Sequence, residues 1–366
     1  MPEPITLLEG TSPCAPVVGV VETDGTTVYL YLHGAPNSSF GTRALWVANL
    51  APAPDGVDVE RMKRGEAPMM PAASTSRPEG LKLTDLEPLK LIWFAEGTGA
   101  ALAGKDGLLA IIPPGTGEND AFPGFARDAL QQTKLAWPLN SPQGLVVASR
   151  VEKDEAFWKL WEAEDAWPRL QQQLLTAIDG TLGSEGRYFA IDGGEWPPRF
   201  LALRRYQGNT VLLTGGVSLL PQPGVARPLA PPRQPRRIEL ALALQGEHSE
   251  ESLTALSRYL GAQCQLPWIR ASWLGPGHTL GCDLLPVGHS GVRFPAVICA
   301  ENPEGAPRIA YPPFQGEPVH LLWLLPITAA ERNLAVQEGS AALFHRLAPL
   351  GELWAHRDRA DTGISN

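Results

Sequence analysis

VHLLWLLPITAAERNLAVQEGSAALFHRL, residues 319–347, changes its period halfway along. The first part is a nearly unbroken apolar run around Trp323, which is the pattern of a strand covered on both faces. Pro326 then precedes Thr328-Ala-Ala-Glu331. That is the T-x-x-E spacing of a capping box, in which the Thr hydroxyl and the Glu carboxylate each bond the other's backbone N–H. The stretch predicts strand, tight turn and capped helix in immediate succession, with Trp323 deep in a core.

Upstream, RYFAI, RFLALRRY, TVLLTGGVSLL and RRIELALALQ (from Arg187 to Gln245) read as strands. The last alternates Ile238, Leu240, Leu242 and Leu244 against Glu239, Ala241 and Ala243, so both of its faces are expected to be covered. SEESLTALSRYLGAQ (249–263) reads as a helix capped by Ser249. VRFPAVICAE and PRIAYPPF read as further strands. The longest helical stretch spans 152–180, where Pro168 is expected to kink it or start a second helix and Gly180 to stop it. Before it, PVVGVVE and TTVYLYLH form a hairpin around Asp24-Gly25. LWVANL, LKLIWFAE, GLLAIIPP and GLVVAS (144–149) read as strands, and FPGFARDALQQT (122–133) as a short helix. Strands and helices occur without regular alternation. The expected class is α+β, with mixed sheets and packed helices in two modules: residues 1–150, a helical connector at 151–180, and a second module at 181–366.

The chain has 366 residues, of which 44% are hydrophobic and 19% charged, enough for a substantial core without disulfide or metal. Its net charge is 30 − 39 = −9. Nucleic-acid binding calls for a basic surface, so that class is set aside, while an acidic surface suits a basic protein partner. No signal peptide is evident, no apolar run is long enough to cross a bilayer, and four scattered cysteines fit a reducing compartment. The expected setting is cytoplasmic.

Few stretches suggest chemistry. GHTLGCDLLPVGH (277–289) holds His278, Cys282 and His289, types that ligate zinc. Their spacing matches no common closed site, and a His in a Gly-Pro-Gly turn reads more simply as a turn residue bonded through its ring to nearby backbone. GAALAGKD (99–106) satisfies G-x-x-x-x-G-K but has Asp106 where the magnesium-binding hydroxyl belongs, and it leads into a strand, which reads as a hairpin turn. GTGEN (115–119) lacks the third glycine of a dinucleotide loop. Asp192 and Glu195 read as carboxylates of a Gly-rich turn. What remains is a supply of eleven tryptophans, some of which would suit a binding surface, and strand edges open to an added strand.

The second module resembles the suppressor-of-fused (SUFU) domain in its bacterial form. The stretches carrying the resemblance are RYFAIDGGEWPPRFLALRRY, TVLLTGGVSLLPQP, RRIELALAL, LPWIRASWLGPGHT and VHLLWLLPITAAER. Within them, Trp273, His278, Trp323, Thr328 and Glu331 are expected to serve the fold. The resemblance implies a mixed-sheet domain without known catalysis or cofactor. Animal members hold a segment of a transcription factor as an added strand, and bacterial members have been proposed to be immunity proteins that neutralise a toxin. LWVANLAPAP and FARDALQQTKLAWPL resemble a module joined to such domains, with no known activity. The expectation is therefore a non-catalytic protein-binding module whose partner is a basic toxin domain. The alternatives are a metal-assisted hydrolase built on His278, Cys282 and His289, or a regulatory scaffold without a toxin.

Overall fold

The computed structural model describes residues 4–359 apart from 37, 39, 58, 116–121, 228–229, 286 and 288–289. The chain forms two compact units. One comprises Met1–Ala163, Pro223–Arg233 and Pro267–Ser272, and the other Glu164–Gln222, Gln234–Leu266 and Trp273–Asn366. No helix among the described residues is long and apolar enough to cross a membrane.

In the first unit, β1 (Ile5–Thr11), β2 (Val17–Thr23), β3 (Thr27–Gly34) and β4 (Thr42–Asn49) pair in sequence as an antiparallel sheet. A short helix α1 (Val59–Lys63) follows. A second sheet joins β5 (Lys90–Trp93), β6 (Ala100–Gly104), β7 (Gly107–Ile112), β8 (Phe125–Ala126) and β9 (Trp137–Pro138). Helix α2 (Pro142–Leu160) ends the unit's main run. The sheets meet closely because Gly19 has no side chain: a Cβ there would lie 3.1 Å from Leu91 Cδ1 and 3.2 Å from Trp93 Cζ2. Leu30, Trp46 and Met70, all fully buried, fill the core. The Trp46 indole N–H is satisfied by Asn49 Oδ1 at 2.8 Å. Lys105-Asp106 is the turn of the β6–β7 hairpin, with Gly104 opposite Gly107.

The β2–β3 turn is held by one carboxylate. Asp24 Oδ1 accepts from the N–H of Thr26 (2.9 Å), the Thr26 hydroxyl (2.8 Å) and the N–H of Thr27 (3.0 Å), and Arg61 pairs with its other oxygen. Burial pushes the Asp24 carboxyl up, but these donors and the Arg61 guanidinium outweigh it and hold it below its ordinary range. A folded-state pKa below the unfolded one contributes stability above the ordinary carboxylate pKa, and this is lost as pH falls through the folded value. Asp24→Asn is therefore expected to be less stable than wild type at neutral pH, with the gap closing in acid. Urea midpoints between pH 7 and pH 2 check this, and a constant gap would refute it.

Two expectations for this unit are corrected. GLVVAS lies inside α2, because Ser141 caps the helix through the N–H of Gly144 (3.1 Å) and Pro142 occupies its first turn. FPGFARDALQQT forms the two-residue strand β8 and turns, tied by Arg127 N–H to Leu109 O (2.8 Å). GTGEN lies outside the described residues beyond Gly115.

The second unit opens with α3 (Ala166–Leu182), so the 152–180 stretch is two helices rather than one, with Pro168 in the first turn of the second. The stop is Gly183 at φ 85° rather than Gly180. Strands β10 (Gly186–Ala190), β11 (Phe200–Tyr206), β12 (Asn209–Gly215) and β13 (Arg237–Gln245) run antiparallel. Then come α4 (Glu250–Gln263), capped by Ser249, the short α5 (Leu266–Ile269), β14 (Thr279–Gly281), β15 (Ala296–Glu301), β16 (Val319–Ile327), α6 (Ala329–Gln337), α7 (Ser340–Leu347) and β17 (Ala355–His356). The sheet order is β10-β11-β12-β13-β16-β15-β14, and β17 also pairs with β13. Beside β13, both β16 and β17 run parallel, which makes the sheet mixed and the class α+β. All residues of β13 except Gln245 are buried, as a strand covered on both faces requires. PRIAYPPF contributes only an isolated bridge, Phe314 to Glu317. Its three prolines have no N–H to give a ladder.

The 319–347 stretch folds as strand, turn and helix. Thr328 Oγ1 accepts from Glu331 N–H at 3.2 Å, and Glu331 Oε2 accepts from Thr328 N–H at 2.8 Å. Glu331 is fully buried, and Arg359 donates to both of its oxygens at 2.7 Å. Thr328→Ala should cost about 1 kcal/mol as a lost N-cap, read as a shift of the denaturant midpoint.

Candidate partner-binding site

His278 follows the Gly275-Pro276-Gly277 turn, and its ring lies against Trp273, centroids 4.1 Å apart. Burial pushes its imidazole below the ordinary value, against a ring hydrogen bond to the Trp273 backbone. Its own backbone ties the turn to β15: His278 O accepts from Cys299 N–H at 2.8 Å, and Gly277 N–H donates to Cys299 O at 2.8 Å. The buried Cys282 thiol is pushed up by burial, away from the thiolate that binds metal or attacks a carbonyl. His289 lies outside the described residues. Among the described residues no three His, Cys, Asp or Glu side chains gather as a metal site. Trp273 is half-buried, whereas Trp323 is 2% exposed and meets the Trp354 ring edge-on at 5.5 Å.

Asp192 organises its own loop. One oxygen accepts from Gly194 N–H at 2.8 Å and the other from Arg199 N–H at 2.7 Å. Glu195 donates its N–H to Asp192 O at 3.2 Å, so the two residues meet through backbone. In the first unit, fully buried Glu96 accepts from Arg150 at 2.8 and 3.1 Å, and burial raises the nearby Cys14 thiol well above its ordinary value.

The second unit also holds a polar knot that the strand pattern did not reveal. Glu239, fully buried on β13, accepts through Oε1 from Gly216 N–H (3.0 Å), Ser218 N–H (3.0 Å) and the Ser218 hydroxyl (2.6 Å). Its Oε2 accepts from the Thr214 hydroxyl at 2.6 Å. Burial pushes its carboxyl up while these donors pull it down, and burial prevails. Next to it, Arg237 donates to Ser218 O (2.9 Å) and Leu219 O (2.6 Å) and pairs with Glu317 at 2.7 Å. Together they clamp the turn after β12, where Gly216 sits at φ 99°. A carboxylate in an otherwise apolar strand, with Thr214, Gly216 and Ser218 upstream, was the available signal.

One terminal strand of this sheet is β10. Ile191 N–H donates to Arg199 O at 3.0 Å, continuing the β10–β11 ladder. In an antiparallel ladder alternate residues turn their backbone groups away from the neighbour, so Tyr188 and Ala190 present theirs outward. No described strand pairs with that side. All of β10 except Phe189 is exposed, and Tyr188 is 51% exposed with its ring edge-on to Phe200 at 5.9 Å. An unpaired strand flanked by an aromatic side chain can take an added strand.

Comparison with known proteins bears on the second unit. A family model described as suppressor of fused protein (SUFU) matches residues 199–358. A solved structure, "the Sufu-Fu complex crystal structure", is similar at 11% identity and a TM-score of 0.38, over 53% of this chain and 91% of that one. No curated protein matches the chain at a significant level. The match to the suppressor-of-fused family thus runs from the end of the Asp192 loop through β17, and it covers less than half of the chain.

Proposed function

We propose that the chain is a non-catalytic protein-binding module that captures an extended segment of its partner along β10. The open, exposed edge of β10 carries this reading. Backbone pairing there supplies affinity without demanding one sequence, and Tyr188 supplies an aromatic anchor. We assign the binding role to the 181–366 module, with 151–180 as its connector and 1–150 as a companion module. The net charge of −9 favours a basic partner. The partner we propose is a toxin domain, met in the cytoplasm and blocked sterically, which makes the chain an immunity protein.

The test is affinity purification of the tagged full chain from its native cells, with mass spectrometry of what co-purifies. A near-stoichiometric basic protein encoded beside it is the expected result. Ala190→Pro removes an outward-facing N–H and leaves the β11 ladder intact, since proline is tolerated where an edge N–H faces away from the sheet. It should weaken capture at least about tenfold with unchanged melting. A clean preparation with the neighbouring genes expressed, or undiminished capture by Ala190→Pro, would overturn the reading.

A further inference from the structure

The second unit contains an apolar groove of about 320 Å³ away from β10. Ala300 of β15 and Leu325 of β16 form its floor, and Phe344 and Leu347 of α7 one wall. Pro276, in the turn just before His278, closes another side. That turn is pressed onto the start of α7, because a Cβ on Gly277 would lie 2.3 Å from Ser340 Oγ. The Gly-Pro-Gly-His stretch is thus built into the groove's wall.

The charged residues that line the groove have one sign. Glu301 and Glu304 line the groove, both exposed, and among the described residues no Lys, Arg or His does. Glu352 adds a third carboxylate beside them, close enough to Gly305 that a Cβ there would meet its carboxyl carbon at 2.3 Å. His320 bonds Glu301 at 2.7 Å from the sheet side. The volume is at the small end for binding sites, which suits one or two side chains rather than a whole helix. An apolar floor under a carboxylate rim complements a large apolar side chain followed by a cation.

We infer that this groove docks a short segment of a protein partner presenting a phenylalanine- or leucine-sized side chain next to lysine or arginine. The inference rests on reading the chain as a protein-binding module and adds a second contact, separate from strand addition at β10. Attraction between the rim and the cation is solvent-exposed, so binding should weaken as salt rises.

The probes are acetylated, amidated pentapeptides titrated into the isotope-labelled full chain: Gly-Phe-Lys-Lys-Gly, Gly-Phe-Glu-Glu-Gly and Gly-Ala-Lys-Lys-Gly. The first should shift the amides of Gly277, Ala300, Glu301 and Leu347. The other two should bind at least about tenfold more weakly. Ala348 is exposed and lines the groove, so Ala348→Trp should fill it and abolish the shifts. Glu304→Lys, at an exposed position, should weaken binding of the first peptide even if the tryptophan variant proves unstable. Equal binding of all three peptides, shifts away from the groove, or binding unaffected by Glu304→Lys would overturn the inference. Ala190→Pro should leave peptide binding unchanged. Failure here with partner capture intact therefore removes the groove alone, and failure of capture with peptide binding intact removes the strand-addition reading alone.

Discussion

Trp323→Ala lowers the unfolding free energy by about 3–5 kcal/mol, the range for truncating a large buried aromatic side chain. The neighbours give the reason. Across the sheet Trp323 stands opposite Ala241 on β13 and Ala300 on β15, both buried. Two alanines leave room for the indole and cannot move in to fill its absence. The Trp354 ring, edge-on to Trp323, loses its support as well. The measurement is the denaturant midpoint with the slope monitored, since a changed slope signals an altered unfolded state. A loss below about 1 kcal/mol would show that the site collapses and that the placement of Trp323 is wrong.

Glu239→Ala has the second large effect, a loss of about 3 kcal/mol or more, because each buried donor stranded without an acceptor costs roughly 1–3 kcal/mol. Two N–H groups and two hydroxyls converge on this carboxylate. Glu239→Gln separates charge from geometry. Its carbonyl oxygen can keep the three donors now at Oε1, and its amide can face the Thr214 hydroxyl, which is able to reorient toward Leu240 O at 3.4 Å. Burial already disfavours the charge. The glutamine variant should therefore lose no more than about 1 kcal/mol. Equal losses for the two variants would mean that the charge, not the acceptor geometry, holds the turn.

Local signals were legible in the sequence and long-range ones were not. The Thr328–Glu331 box, the Ser249 cap and the Asp24-Gly25 hairpin each depend on residues three or four apart. GLVVAS misled because a β-branched run has the strand pattern, while the deciding cap, Ser141-Pro142, stands just before it. PRIAYPPF had strand composition, but its prolines deny it a ladder. Glu239 was visible only as an odd carboxylate in RRIELALAL, since its partners are brought to it by β12–β13 pairing. The open side of β10 was less legible still: which strand ends a sheet is decided by all the other pairings. For His278, the ring contact with local backbone was readable from the turn, but its place beside a groove was not, because Phe344 and Leu347 come from far downstream.

The placement of β13 also has a consequence in time. Its neighbour on one side, β12, is made before it, but the other side waits for Val319–Ile327 and then for Ala355–His356. A nascent chain therefore carries a strand that ends up buried along nearly its whole length, with one side unpaired until β16 has been synthesised. Pairings this distant in sequence slow folding, since the loop between them must be closed before any contact rewards it. Refolding of the second unit should thus be slow and concentration-limited by self-association, and in the cell it would be a customer for whatever shields exposed strands during synthesis.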